Sequence, residues 1–540
     1  MGVRGMKLEQ MTPRALRSVV AAVAMIVALL PWLEPDPIEI SFVFSTDAED
    51  LLRPLIRDFN DSQDDVRVVG SGQPSGDVLE DILEGDASPH LWMPAASTWG
   101  RLLNHSTGVE MAPEESRTYF WSPEVIGTFG SLSDDYPIED WTDIAAFATG
   151  RQGLGDDDVF RLGHTKPTSS TSGLYALVSE FSSTDPKGRP VVDERSVTQV
   201  RSIEQAVLHY GDIADDFCKR LFEYSSAYVD AFYMQETTFL KCKDQFKDLG
   251  LEEIFPSRTF IADYPAFVLN APWVNERQAE SAERFLTWLQ GELDRGDVHD
   301  ERLRFGDPWD QNGTAQDPPP PGADRSQSWE PIDVPTGETL AAVLDAWPDV
   351  RKPAEVLILL EKGDMNRESA IDSARELLRT FIRDLPEDAI VGLDSFDEEV
   401  VEEAAPASLD DQHRGKLLAA LDAIDADGAD SFLADALVQS IEKVDDPSDI
   451  TLIVLVSLGV TRDDGERTLD DALTRLEERS RRTSPVQVFA ISFGDPDGDR
   501  VLEAIATDSL GECAEFEDEE DTTDGCEVPT ELLDIVDGIV

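Results

Sequence analysis

Short apolar runs alternate with amphipathic stretches along most of the chain, and their spacing predicts an α/β protein. From residue 38 the pattern reads IEISFVFS, a strand; DAEDLLRPLIRDFNDS, a helix; VRVVGSG, a second strand; a helix that GQPSGDVLEDILEG opens; and HLWMPAAS, a strand ending in small polar residues. Further on, RLGHTKPTSSTSGLYALVSEF reads as strand, polar turn and helix, and ADYPAFVLN as a strand. The aromatic-rich FCKRLFEYSSAYVDAFYM is expected to be a buried helix pair. After residue 336 the same rhythm returns with longer runs. EVLILLEKGDM, AIVGLDSF, ITLIVLVSLG and PVQVFAISFG are strands, separated by ESAIDSARELLRTFIRDL, GADSFLADALVQSIEKV and other helical stretches. Apolar strands alternating with helices imply a parallel sheet covered on both faces.

Breaks in this rhythm divide the chain. Arg4, Lys7, Arg14 and Arg17 precede the uncharged run VVAAVAMIVALLPWL, which predicts a cytoplasmic tip and an N-terminal membrane anchor or signal over 1–35. Pro31, Trp32, Leu33, Glu34 and Pro35 close that run without a small-x-small cleavage site or a lipid-acceptor cysteine, which favours a retained anchor. Residues 36–308 form a first domain, 309–335 a linker with four consecutive prolines, and 336–540 a second domain. The bulk of the chain is thereby placed outside the membrane.

The first domain, with its strand-to-helix turns rich in Ser, Thr and Gly, resembles the extracellular solute-binding proteins of the periplasmic type. The resemblance implies two lobes with a ligand cleft between them. It puts Ser45 and Thr46 at the first turn, Ser71, Gly72 and Ser75 at the second, and Thr168, Ser170, Thr171, Ser172 and Gly173 at a third. Tyr264, in the returning ADYPAFVLN strand, is a lesser candidate. Hydroxyls and helix N-termini at such turns suit a small polar solute, although each is also an ordinary helix cap.

The second domain resembles a von Willebrand factor type A domain, with a doubly wound, Rossmann-like sheet. The resemblance covers EVLILLEKGDM, GADSFLADALVQSIEKV, ITLIVLVSLG and the closing elements in family order. In that family the first strand ends in D-x-S-x-S and binds Mg²⁺; here the aligned positions are Leu360, Lys362 and Asp364. Ser431 stands for the metal-site threonine and Leu458 for the later aspartate. Leucine and ammonium groups cannot ligate Mg²⁺, so the expectation is a degenerate site with no metal. Lys362 would supply positive charge in its place, while Glu361 and Asp364 leave a shifted, weaker divalent site open.

Composition changes the setting. The 111 acidic residues against 45 basic give a formal charge of −66, and the 41% hydrophobic content is enough for packed cores, so the charge is not a mark of disorder. An acidic surface with few lysines fits concentrated salt, where screening acts within about 3 Å. It excludes nucleic acid as a partner, since no basic face is available. Four cysteines fall as Cys218 with Cys242 and Cys513 with Cys526, favouring two local disulfides. No G-x-S-x-G or H-E-x-x-H motif is found, and the expected role is binding without catalysis or cofactor. The first domain would capture a solute and the second would dock a protein partner. The alternatives are the binding component of an ABC-type uptake system and a surface scaffold with no small ligand.

Overall fold

The computed structural model describes residues 37–515 except 133–135, 151–159, 186, 212–213, 225–227, 310–317, 325, 364–367, 388, 427–428, 445–449, 460–466, 481–485, 493–495 and 512. The expected anchor, Asp364 and Cys526 lie outside the described residues. Among the described residues no helix is long and apolar enough to cross a membrane.

The first sheet is built from β1 (Ile38–Phe44), β2 (Val66–Gly72), β3 (Leu91–Met93), β4 (Arg117–Thr118) and β12 (Pro265–Val268), in the order β2-β1-β3-β12-β4. Side chains alternate along β1, so Phe42 and Phe44 pack with α1 (Glu49–Ser62) and α9 (Glu276–Glu292) on one face. Val43 faces the other way, toward α2 (Ser75–Glu84) and α3 (Ser97–Thr107).

The second lobe carries β5 (Phe120–Phe129), α4 (Trp141–Ala148), β6 (Leu162–Thr165), α5 (Thr171–Ser183), α6 (Glu194–Glu204) and β7 (Val207–Gly211). It continues through α7 (Ala214–Tyr224), β8 (Ala231–Gln235), α8 (Glu236–Gln245), β9 (Leu251–Ile254), β10 (Arg258–Thr259) and β11 (Ile261–Ala262). Its sheet runs β11-β5-β8-β6-β7. The chain crosses between lobes beside residues 118–120 and 262–265, where Pro265 pairs with Thr118. After α10 (Arg295–Asp300), β13 (Arg304–Phe305) also pairs with β5.

One sequence expectation is corrected here. FCKRLFEYSSAYVDAFYM is not a helix pair: α7 gives way to β8, a strand buried on both faces inside the sheet. A short, wholly apolar run carries no periodicity to separate the two states. Cys218 on α7 and Cys242 on α8 are joined by a disulfide with Cα atoms 5.7 Å apart.

The proline-rich segment does not hang free where it is described. The β14 strand (Glu330–Pro331) pairs with β10, the Trp329 ring stacks on Phe255, and the Gln327 side chain accepts from Phe255 N at 2.8 Å. The C-terminal domain begins with α11 (Gly337–Asp345) and α12 (Trp347–Val350). Of these, α11 packs against α3 of the first lobe and α5 of the second, while α12 packs against α6.

The remaining elements are β15 (Ala354–Glu361), α13 (Glu368–Asp384), β16 (Ile390–Phe396), β17 (Val400–Ser408), α14 (Asp411–Ala423) and α15 (Leu433–Lys443). They are followed by β18 (Ile450–Ser457), α16 (Leu469–Ser480), β19 (Val486–Ser492), α17 (Pro496–Asp508) and β20 (Cys513–Glu515). The sheet order is β17-β16-β15-β18-β19-β20, parallel except for β17. Val356, Ile358 and Leu360 pack toward α13 and α14, whereas Leu357 and Leu359 pack toward α15, α16 and α17. Helices therefore cover both faces. The half-exposed edge strand β17 was not legible in advance, because its acidic, proline-containing sequence resembles a loop.

Candidate functional site

The C-terminal ends of β1, β3, β6 and β8 meet where the lobes face each other, and the helices that follow start there. At that place the chain turns from strand to helix, so each turn leaves backbone N–H groups and short polar side chains at the seam.

Several of the residues singled out from the sequence are brought together. Ser45 is buried and donates to Asp47 Oδ2 at 3.0 Å; the same oxygen accepts from Gln235 Nε2 of β8 at 3.0 Å. Thr46 is half-buried and opens a single helical turn. Tyr264 is fully buried, and its hydroxyl donates to Gln235 Oε1 at 2.5 Å. Its φ of 39° places it in a left-handed conformation that non-glycine residues rarely hold, where the chain crosses between the lobes.

Thr171 accepts from the Trp99 indole at 2.7 Å, Ser172 is buried beside Glu124, and Ser170 caps α5 while accepting from Thr165 Oγ1 at 2.7 Å. Gly173 lets the helix start close against Thr165, where a Cβ would strike the carbonyl. Ser75 is buried too, but its hydroxyl accepts from Ala95 N within its own lobe at 3.0 Å.

Others are not brought to the seam in the same way. Ser71 is exposed, Gly72 lies against Glu49, and among the described residues neither hydrogen-bonds to the second lobe. Thr168 is exposed; its neighbour Ser169 makes the cross-lobe contacts, accepting from Gly76 N at 2.7 Å and donating to Asp77 Oδ1 at 2.6 Å.

The sequence reading did not single out the acidic groups of the seam. Glu124 on β5 is completely buried, with the Ser172 hydroxyl as its hydrogen-bonding neighbour and no cationic side chain paired with it among the described residues. It pairs across the sheet with Gln235, so both side chains stand on the face toward the first lobe. Burial pushes its pKa well above the usual carboxylate range; the Ser172 hydroxyl acts against that rise and the Asp47 carboxylate adds to it. Tyr175, Tyr233 and Tyr264 stand around it, each held protonated first by burial. Asp263 is buried as well, accepting from Ser97 N at 2.7 Å and from Trp309 Nε1 at 3.3 Å. A cavity of about 770 Å³ adjoins this seam through Ser97 and Asp263, between α3 and the start of the C-terminal domain, and includes Arg101, Trp309 and Glu338 in its lining.

At the rim of the C-terminal sheet, β15 ends in Leu360 and Glu361. Leu360 faces the apolar core beneath α13, and the acidic side chain on the opposite face is Glu361. Its Oε2 accepts from Ser457 Oγ at 2.7 Å and from Leu458 N at 2.8 Å. Lys362 Nζ pairs with Asp397 Oδ2 at 2.7 Å, and Ser431 is buried against Gly363. Leu458 therefore enters the site through its backbone N–H.

The family model of bacterial extracellular solute-binding proteins matches residues 40–293, just under half of the chain, and supports a solute-binding first domain. No match to a curated protein was found. Among solved structures, the periplasmic binding protein P5PA is 13% identical with a TM-score of 0.42, covering 58% of this chain and 100% of its own. The sulfate-binding protein SubI from Mycobacterium tuberculosis H37Rv is 16% identical with a TM-score of 0.39, covering 58% and 98%. A von Willebrand factor type A structure from Catenulispora acidiphila is 18% identical with a TM-score of 0.26, covering 31% of this chain and 39% of its own.

Proposed function

We propose that residues 36–308 capture a small polar solute bearing a cationic nitrogen between the two lobes, and that the chain acts as an anchored, extracytoplasmic sensor. The observation that carries this reading is Glu124: a carboxyl buried between the lobes, beside the Asp47 carboxylate, with no cation paired to it among the described residues. Such a group costs free energy until a donor reaches it, and an ammonium or guanidinium supplies both the hydrogen bond and the charge. Asp47 and Asp263 add negative charge nearby.

Sensing is favoured over delivery by the position of α11. It touches α3 on one lobe and α5 on the other, so lobe opening must move the C-terminal domain. Arg201 Nε reaches Asp349 O at 2.7 Å and Arg220 reaches Leu510 O at 3.0 Å, adding two further ties between the second lobe and that domain. In this reading the C-terminal domain, a von Willebrand factor type A-like unit without a metal, docks a protein partner and reports the state of the cleft.

The test is the thermal midpoint of the full chain in molar KCl with putrescine, arginine, sulfate or glucose, since any ligand of the native state raises it by mass action. A rise with the amines alone supports the reading. A rise with sulfate or glucose alone assigns the cleft to another solute class, and no rise with any of the four turns the account toward a scaffold.

A further inference from the structure

A second cluster lies deeper in the same lobe, away from the seam. His164 on β6, Glu180 on α5 and Glu204 at the end of α6 are all buried, and one ligand atom from each can be chosen so that all three lie within 4.8 Å of one another. His164 Nδ1 sits 2.9 Å from Thr165 O. A carbonyl only accepts, so Nδ1 donates this bond and Nε2 is the ring nitrogen turned toward the two glutamates. Nε2 has no hydrogen-bond partner and stands 3.5 Å from Glu204 Oε1 and 3.8 Å from Glu180 Oε1. Glu180 and Glu204 face each other as hydrogen-bonding neighbours, with no other side chain on either Glu180 oxygen or on Glu204 Oε1 among the described residues, and Glu204 Oε2 accepts from the Tyr210 hydroxyl at 2.6 Å.

One nitrogen and three oxygens are thus aimed at a common space. Among the described residues no lysine or arginine forms an ion pair with either glutamate. Two buried carboxyls at this separation must be neutralised by protons or by a cation. The separations suit a cation: donors at about 2.0–2.2 Å from one ion lie roughly 3–4 Å apart.

We propose that His164, Glu180 and Glu204 form a buried site for a divalent transition metal of the zinc class. The imidazole selects against Mg²⁺ and Ca²⁺, which take oxygen ligands, and a bidentate Glu180 completes four donors. The surroundings orient the donors as such sites require: Thr165 O fixes the imidazole tautomer and Tyr210 holds Glu204. The Trp347 ring of α12 packs on Tyr210 and His164, with centroids 4.9 and 6.4 Å away, and closes the site from the side of the C-terminal domain. The ion would fasten β6, α5 and α6 together directly behind the Thr171–Gly173 turn and beneath the docking point of α12. Its role is structural.

The full chain, produced with Zn²⁺ supplied and gel-filtered in molar KCl to screen the acidic surface, is assayed by elemental analysis and X-ray absorption at the zinc edge. One Zn²⁺ per chain with a single imidazole, oxygen neighbours and no sulfur is expected. The isosteric variants Glu180→Gln and Glu204→Gln, together with His164→Gln, should each weaken retention by about a hundred-fold or more. A folded wild-type chain that retains no zinc, manganese or iron overturns the proposal and leaves a proton-sharing carboxyl pair. Retention unchanged in folded variants overturns it too, by assigning the metal to the surface. Should the variants fail to fold, the wild-type absorption spectrum decides: sulfur ligands, or oxygen alone, contradict the site.

Discussion

The Trp99 indole on α3 donates to the Thr171 hydroxyl on α5 at 2.7 Å, and this buried bond ties the first lobe to the second. The neighbouring Thr98 hydroxyl shares a hydrogen bond with the Tyr175 hydroxyl at 2.6 Å, so α3 and α5 are joined twice where their N-termini meet. The lobes are closed on their own side chains. Trp99→Phe keeps an aromatic ring but removes the donor, which costs about 1 kcal/mol of closure for one net hydrogen bond. Small-angle scattering of this variant should show a larger radius of gyration; an unchanged radius would mean that the remaining ties, Thr98–Tyr175 and Asp47–Gln235 among them, hold the lobes closed without it.

A pH effect on stability follows from Glu253. Its carboxyl is raised to about 7, first by burial and then by the Glu236 carboxylate. The folded state therefore binds this proton more tightly than the unfolded state, whose carboxyl titrates near 4.5. The contribution is fully present below that value and is lost as pH rises toward 7, amounting to about 3 kcal/mol at most. Glu253→Gln should flatten chemical-denaturation stability across this window. A slope identical to the wild type would remove Glu253 as its cause.

Much of the fold was legible because strand and helix periods are written into the apolar positions, and IEISFVFS and EVLILLE became β1 and β15. The Thr171–Gly173 turn was legible for the same reason, since small polar residues follow a strand and open a helix. Glu124 was overlooked although it carries a signal, a lone acid inside the apolar run FWSPEVIGTF; in a chain with 111 acidic residues it does not stand out. Trp99 and Gln235 acquire meaning only when the lobes meet, which no local pattern encodes. Leu360 and Glu361 differ by one residue, and on a strand one residue exchanges one face of the sheet for the other, so the apolar side chain enters the core and the acidic one meets Ser457.

At the C-terminal rim, Lys362 and Asp397 neutralise each other and Glu361 is occupied by Ser457 and Leu458. Mg²⁺ at millimolar concentration should raise the thermal midpoint no more than the same ionic strength of KCl does. Glu361→Ala should cost about 2 kcal/mol or more, because it strands two buried donors and opens a void. A specific Mg²⁺ stabilisation, lost with Glu361, would show that this rim holds a metal after all.

The Cys218–Cys242 bridge closes a loop with a sequence separation of 24 between two buried helix positions. Replacing both cysteines by alanine should lower stability by roughly 3 kcal/mol through the freed unfolded chain. Denaturant unfolding of the double variant, compared with the oxidised wild type, measures this. Equal midpoints in the oxidised wild type and the double variant would mean the bridge contributes nothing.

The account rests most heavily on Glu124 as the group that receives a cationic solute. Isothermal titration of putrescine and arginine into the full chain and into Glu124→Gln, in molar KCl at neutral pH, tests it directly. The expected result is saturable binding of at least one amine to the wild type, accompanied by proton release, and binding at least about ten-fold weaker in the variant, as loss of a charged hydrogen bond implies. Equal affinity in the two proteins, or heat with neither amine, would contradict the claim that this buried carboxyl is the recognition element of the cleft.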